Sequence, residues 1–102
     1  MLFYLYILQS ESTGKYYVGY TTDPWKRLME HNTAEHNTYT SKHRPWKLVA
    51  LFKISESENE AIRIERFIKK QKSRTFIQML IDTEFQPEGY LAQMVRVPKL
   101  RD

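Results

Sequence analysis

The chain opens on an apolar and aromatic run, Leu2 to Leu8, breaks at QSESTG, Gln9 to Gly14, and resumes as KYYVGYT, Lys15 to Thr21. Two such runs around a glycine-containing loop predict a β-hairpin. Asp23-Pro24 marks a helix start, because aspartate supplies a capping oxygen and proline fits the first helical position. That helix is expected to reach about Asn32, with Trp25, Leu28 and Met29 as its apolar side at i, i+3, i+4 spacing. Asn32 to Pro45 is polar without a period and reads as loop. Trp46 to Ile54 sets Trp46, Leu48, Ala50, Phe52 and Ile54 against Lys47 and Lys53, the alternation of a third strand. Ser57 with Glu60 is a capping-box pair opening a helix to about Lys72. Thr75 to Ile81 predicts a shorter helix with Thr75 and Gln78 as its box. The pattern fades from Thr83 onward.

Strands joined by a hairpin are antiparallel. The order of elements therefore predicts an α+β fold, a small three-stranded antiparallel sheet flanked by helices. A chain of 102 residues holds one domain. It divides into a folded unit, 1–82, and a C-terminal tail, 83–102, either docked or flexible. The absence of cysteine excludes disulfides, thiolate zinc sites and thiol nucleophiles. The N-terminus has no signal-peptide pattern, and Leu2 to Leu8 is too short to span a bilayer. No membrane partner and a cytoplasmic location are expected. A net charge of +4 and a pI near 9.4 lean toward a polyanionic partner.

Some residues break the pattern. Five of the 7 tyrosines, Tyr4, Tyr6, Tyr16, Tyr17 and Tyr20, fall on the hairpin. Side chains alternate faces along a strand, so Tyr4 and Tyr6 oppose Phe3, Leu5 and Ile7. With an even-numbered connection, Tyr6 and Tyr17 share a face with the side-chain-free Gly19. Two phenols beside a gap suit a pocket floor; on the hairpin alone, cross-strand aromatic packing is the favoured account. Arg27 and His31 are i, i+4 neighbours on the first helix, a basic face expected to look away from Trp25, Leu28 and Met29 into solvent. Glu65 falls inside the core stripe of Ala61, Ile64 and Ile68. A carboxylate held there calls for an ion pair, with Arg27 or a lysine, or for a metal. Lys72 lies near the stripe but close enough to the helix end to reach water. The run Lys69 to Arg74 either grips phosphates or is a solvated helix end that suits the helix dipole.

As a set, these residues resemble the GIY-YIG nuclease family, and most of all its small stand-alone bacterial members. Tyr4-Leu5-Tyr6 stands at the first motif and Tyr17-Val18-Gly19 at the second. The spacings to Arg27 and to Glu65 match, and the resemblance covers about Phe3 to about Ile81. Tyr4 and Leu5 depart from the glycine and isoleucine of the family's first motif. Tyr20 follows Gly19 where excision-repair members tend to carry lysine. The resemblance implies that Tyr6 and Tyr17 are active-site tyrosines, Arg27 the catalytic arginine and His31 a helix histidine of the site. It implies that Glu65 is the ligand of a Mg²⁺ or Mn²⁺ ion. The activity implied is metal-dependent endonucleolytic hydrolysis of DNA, branched or damaged DNA included, in repair or recombination. Arg27, Lys69, Lys70, Lys72 and Arg74 are then the expected nucleic-acid contacts, and a protein partner would supply substrate recognition. The alternative is a module of the same fold that binds nucleic acid or protein without cutting. On the nuclease expectation, Glu65 is buried beside Tyr6, Tyr17 and Arg27 in one cleft.

Overall fold

The expected hairpin forms from β1 (Phe3–Ser10) and β2 (Tyr16–Thr21), paired antiparallel in a computed structural model that describes residues 1–35, 39–98 and 100. Its register sets Tyr6 against Gly19, Leu8 against Tyr17 and Gln9 against Tyr16. The connection, residues 10–15, is even-numbered, and Tyr6, Tyr17 and Gly19 share one face. The following elements are α1 (Pro24–Thr33), α2 (Tyr39–Lys42), β3 (Trp46–Ser55), α3 (Glu58–Lys70) and α4 (Arg74–Ile81), then a 3-10 turn over Gly89–Gln93 and β4 (Val95–Arg96).

The sheet has four strands, not three, in the order β2-β1-β3-β4, all antiparallel. β4 is two residues long, pairing Phe52 with Arg96 and Lys53 with Val95. So short a strand carries no alternation to read. Leu91 and Met94, just before it, are buried in the main core. Of the expected loop and tail, residues 36–38, 99, 101 and 102 lie outside the described residues.

Both faces of the sheet are covered. One packs Leu5, Ile7, Val18, Ala50 and Phe52 against Ile64, Ile68, Ile77 and Leu80 of α3 and α4. Each of these side chains except that of Ala50 contributes about 1.5–3 kcal/mol by leaving water. The other face packs Tyr6, Leu8, Trp46 and Leu51 against Trp25 and Leu28 of α1. The single alternation expected for β3 does not hold. The register shifts between Ile7 and Leu8, which pair with Ala50 and Leu48 and leave Val49 extra. Such a bulge reverses the faces beyond it. Trp46 and Leu48 therefore join the tyrosine face, and Ala50, Phe52 and Ile54 join the other.

Helix ends follow local chemistry. Asp23 caps α1 by accepting from the Lys26 amide at 3.1 Å. Ser57 caps α3 by accepting from Glu60, as expected. α3 stops at Lys70 instead of Lys72, where the backbone turns left-handed (φ +48°). The cap of α4 is Ser73, which accepts from the Phe76 amide at 3.1 Å. Thr75, the expected cap, lies inside that helix.

Candidate active site

The alternation of β1 and β2 presents Tyr6 and Tyr17 to α1. Their rings stack with centroids 6.3 Å apart. Tyr6 is 2% exposed and crosses directly over Gly19. A Cβ built there would stand 2.5 Å from Tyr6 Cζ and 2.9 Å from Cε2, closer than real atoms approach. Glycine at this position is what lets the phenol lie flat across β2.

α1 contributes the third group. His31 is buried, 8% exposed, and its Nε2 lies 2.9 Å from the Tyr6 hydroxyl. Its ring is 4.7 Å from that of Tyr17. The expectation for α1 is thereby corrected. Its buried residues are Pro24 and His31, one turn pair apart, while Met29 is 58% exposed. Trp25 and Leu28 pack on the sheet as expected, Arg27 stays half exposed, and His31 turns inward beside them because Tyr6 offers the imidazole a partner. That partner lies 25 residues away in sequence and leaves no trace in local periodicity.

Burial pushes the Tyr6 phenol up to about 12; the Arg27 guanidinium opposes this, and Tyr17 and Glu65 add to it. Burial also lowers His31 to about 4, helped by the charge of Arg27 and, less, of Arg44, with Glu30 opposing. Both groups are neutral at pH 7, so they share one hydrogen bond whose donor follows the imidazole tautomer. Arg27 is held in its charged form chiefly by Tyr6. It is about half exposed and pairs with Glu30 at 3.4 Å.

Above this pair opens a cavity of about 300 Å³, lined by Tyr17, Arg27, Glu30, His31, Tyr39 and Arg44 among others. A second groove of about 370 Å³ shares Tyr17 and Tyr39 with it. That groove brings together Lys15, Lys69, Lys72 and Arg74 but not Lys70, which is exposed at the end of α3. The Arg74 guanidinium covers the Tyr16 ring at 4.6 Å and donates to the Gly14 carbonyl at 3.1 Å. The Lys69 ammonium stands 5.4 Å from the Tyr17 ring centre.

Glu65 is not buried as expected. Its side chain is 20% exposed and pairs with Lys69, one turn on, at 3.2 Å. A lysine on the same helix thus satisfies the carboxylate at the edge of the stripe, and the charge remains close enough to Tyr6 to raise its phenol. Among the described residues, no group of three or more His, Cys, Asp or Glu converges on one point. A single accessible carboxylate nevertheless fits a hard divalent ion that keeps most of its waters and takes its other oxygens from a phosphate.

Sequence reasoning missed Tyr39 and Arg44, both in the stretch read as loop. The usable signal was an arginine and a tyrosine in a polar segment without period.

A family model described as the GIY-YIG catalytic domain matches residues 2–78. The chain is 38% identical over 69 residues to a UPF0213 protein of Streptococcus pneumoniae, covering 68% of each. It is 35% identical over 85 residues to the UPF0213 protein lmo0166 of Listeria monocytogenes, covering 83% of this chain and 92% of that one. It is also 36% identical over 74 residues to the structure-specific endonuclease subunit SLX1 of Meyerozyma guilliermondii, 68% of this chain but 25% of that protein. The solution structure of the UPF0213 protein BH0048 from Bacillus halodurans superposes with a TM-score of 0.50 at 34% identity, over 85% of this chain and 89% of the other.

Proposed function

The chain belongs to the GIY-YIG family, and from that premise we propose that it is an endonuclease hydrolysing DNA phosphodiester bonds. The observation that carries this reading is the convergence of Tyr17, Arg27 and His31 on one cavity, with Tyr6 buried behind it and bonded to His31. Hydrolysis adds water at phosphorus and breaks the bond to the leaving oxygen, so negative charge builds on the phosphoryl and leaving oxygens. Arg27 offers that charge a planar, two-pronged donor. Tyr17, lining the cavity beside Arg27 and faced by the Lys69 ammonium, is the residue whose oxygen, in its phenolate form, takes the proton of the attacking water. Tyr6 keeps its own proton at neutral pH and serves with His31 to hold water or phosphate in place. Glu65 would hold the Mg²⁺ or Mn²⁺ ion, which supplies charge neutralisation at the phosphoryl group and the leaving oxygen.

Lys69, Lys72 and Arg74, in the adjoining groove, and Lys70 beside it are the further backbone contacts in this reading. The SLX1 relative is by its name a structure-specific endonuclease subunit; branched or damaged DNA, a partner protein and a repair role are proposed on that likeness. A second reading, a binding module without cleavage, is favoured by the Lys69 ammonium that already occupies Glu65.

The test is cleavage of nicked, flapped, branched and duplex DNA with Mg²⁺ or Mn²⁺. Glu65→Gln is expected to abolish cleavage while folding and DNA binding persist. Arg27→Ala is expected to slow it roughly 10²- to 10³-fold, as loss of one transition-state donor does. Unchanged cleavage by Glu65→Gln would sink the assignment, and no cleavage by the wild type on any substrate would leave the binding module.

A further inference from the structure

We propose that Arg44 is a second phosphate-binding cation of this cavity, gripping a backbone phosphate beside the one that Arg27 engages. This rests on the reading of the chain as a protein that acts on DNA. Both guanidiniums line the same hollow of about 300 Å³, but their electrostatic situations differ. Arg27 is paired with Glu30 at 3.4 Å, so much of its charge is compensated before any ligand arrives. No carboxylate among the described residues lies within ion-pair distance of Arg44. Its charge is therefore what leaves the cavity positive.

Arg44 is also held still. Its Nε donates to the His31 carbonyl at 2.7 Å, and its Nη2 donates to the Ala34 carbonyl. These carbonyls lie at the C-terminal end of α1, where helical oxygens lack partners and a cation is favoured. The two bonds use two of five guanidinium donors. Among the described residues no further partner takes the remaining N–H groups, and the charge is carried by a half-buried side chain held at two points. A guanidinium ordered in advance loses little freedom on meeting a phosphate. The segment that carries it is tied down as well. Asn32 Nδ2 donates to the Trp46 carbonyl at 2.9 Å and Asn32 Oδ1 accepts from the Trp46 amide at 2.7 Å. Trp46 Nε1 donates to the Thr40 carbonyl at 2.7 Å. The segment is thus fastened to α1 at Trp46, after Arg44, and closed on itself by the bond from Trp46 to Thr40, before it.

The competing account makes Arg44 only a cap of α1, and the salt dependence of binding separates the two. Labelled duplex and branched DNA are titrated with the protein in EDTA, without cleavage, across a series of salt concentrations. Wild type, Arg44→Gln and Arg44→Lys are compared. Neutralising one phosphate contact changes the slope of log K against log salt by about 0.9 on duplex DNA. Arg44→Gln is expected to lower the slope by that amount, and Arg44→Lys to keep it. A cap lost without a phosphate contact would weaken binding only through the unfolded fraction and leave the slope unmoved, which would overturn the proposal. So would a wild type that binds no DNA. Should Arg44→Gln fail to fold, the Arg44 Nε–H resonance of the wild type decides: a shift on adding DNA supports the contact, and no shift overturns it. A reduced slope here, together with no cleavage by the wild type in the Mg²⁺ or Mn²⁺ panel, would instead refute the nuclease reading and leave Arg44 as a backbone contact.

Discussion

The two faces of the β1–β2 hairpin are built from the same fourteen strand residues and do opposite things. Toward α3 and α4 the strands present Leu5, Ile7 and Val18, hydrocarbon against hydrocarbon. Toward α1 they present Tyr6, Leu8, Tyr17 and Gly19, and the helix answers with an imidazole instead of another aliphatic stripe. Alternation lets one short strand pair anchor the fold and shape a polar cavity, because a side-chain period of two keeps the two sets apart. The hydrocarbon face contributes through burial and has no chemistry to lose. The phenol face trades some of that burial for two groups kept neutral by desolvation.

The widest separation between the faces comes from truncating each. Phe52→Ala on the hydrocarbon face removes a side chain that is 0% exposed and is expected to destabilise by about 3–5 kcal/mol, seen as a drop in denaturation midpoint. Arg27→Ala, half exposed beside the phenols, is expected to shift that midpoint little while cleavage falls as given above. Equal stability losses in the two variants would show that the faces are not separable.

How much of this was legible in the sequence differs between the faces for a physical reason. The hairpin, the pairing of Tyr6 and Tyr17 on one face and the cap at Ser57 follow from period, parity and local hydrogen bonding, all short-range. The inward turn of His31 was not legible, because its hydroxyl partner arrives from β1. The bulge at Val49 was not legible either. It is set by how β3 meets β1, and a hydrophobic run reads equally well in either register. α2 and β4 are four and two residues long, shorter than any periodic signal. The Glu65 anomaly was visible with Arg27 or a lysine as its partner, and the choice of Lys69 depends on the rotamer reached on the helix surface.

Acid offers a titration of the phenol face alone. His31 binds its proton near pH 4 in the folded chain and near 6.5 when unfolded. Its neutral form therefore stabilises the fold fully above about pH 6.5, and that contribution is lost as pH falls toward 4. The shift corresponds to up to about 3 kcal/mol. Since carboxylates also titrate near 4, the measurement is the difference between wild type and His31→Gln in denaturant midpoint across that window. The difference is expected to shrink as pH falls, and a constant difference would show that His31 is not held neutral. At the alkaline end the Tyr6 phenol, raised to about 12, acts with the opposite pH sense. The fold keeps that contribution below pH 10 and loses it as pH rises toward 12.

A smaller loss of stability than that of Phe52→Ala is expected at the residue with the least side chain. Gly19→Ala places a methyl group where the Tyr6 ring now lies, at 2.5 Å from Cζ. Overpacking of this kind costs about 1–3 kcal/mol, while alanine recovers roughly 0.5–1 kcal/mol of the backbone freedom that glycine loses in a strand. A net loss of roughly 1–2 kcal/mol is expected, well below that for Phe52→Ala. The functional effect should exceed the structural one. The atoms nearest the added methyl all belong to the outer end of the Tyr6 side chain and none to backbone, so the ring is the part that yields. Displacing it lengthens the Tyr6–His31 bond, admits water and lets the imidazole take up a proton at higher pH. An upward move of the His31 titration midpoint, followed by its ring resonances in a folded Gly19→Ala protein, is the expected signature. An unmoved midpoint with the full loss of stability would mean that the strand shifts instead of the ring, and that Gly19 serves β2 and not the tyrosine above it.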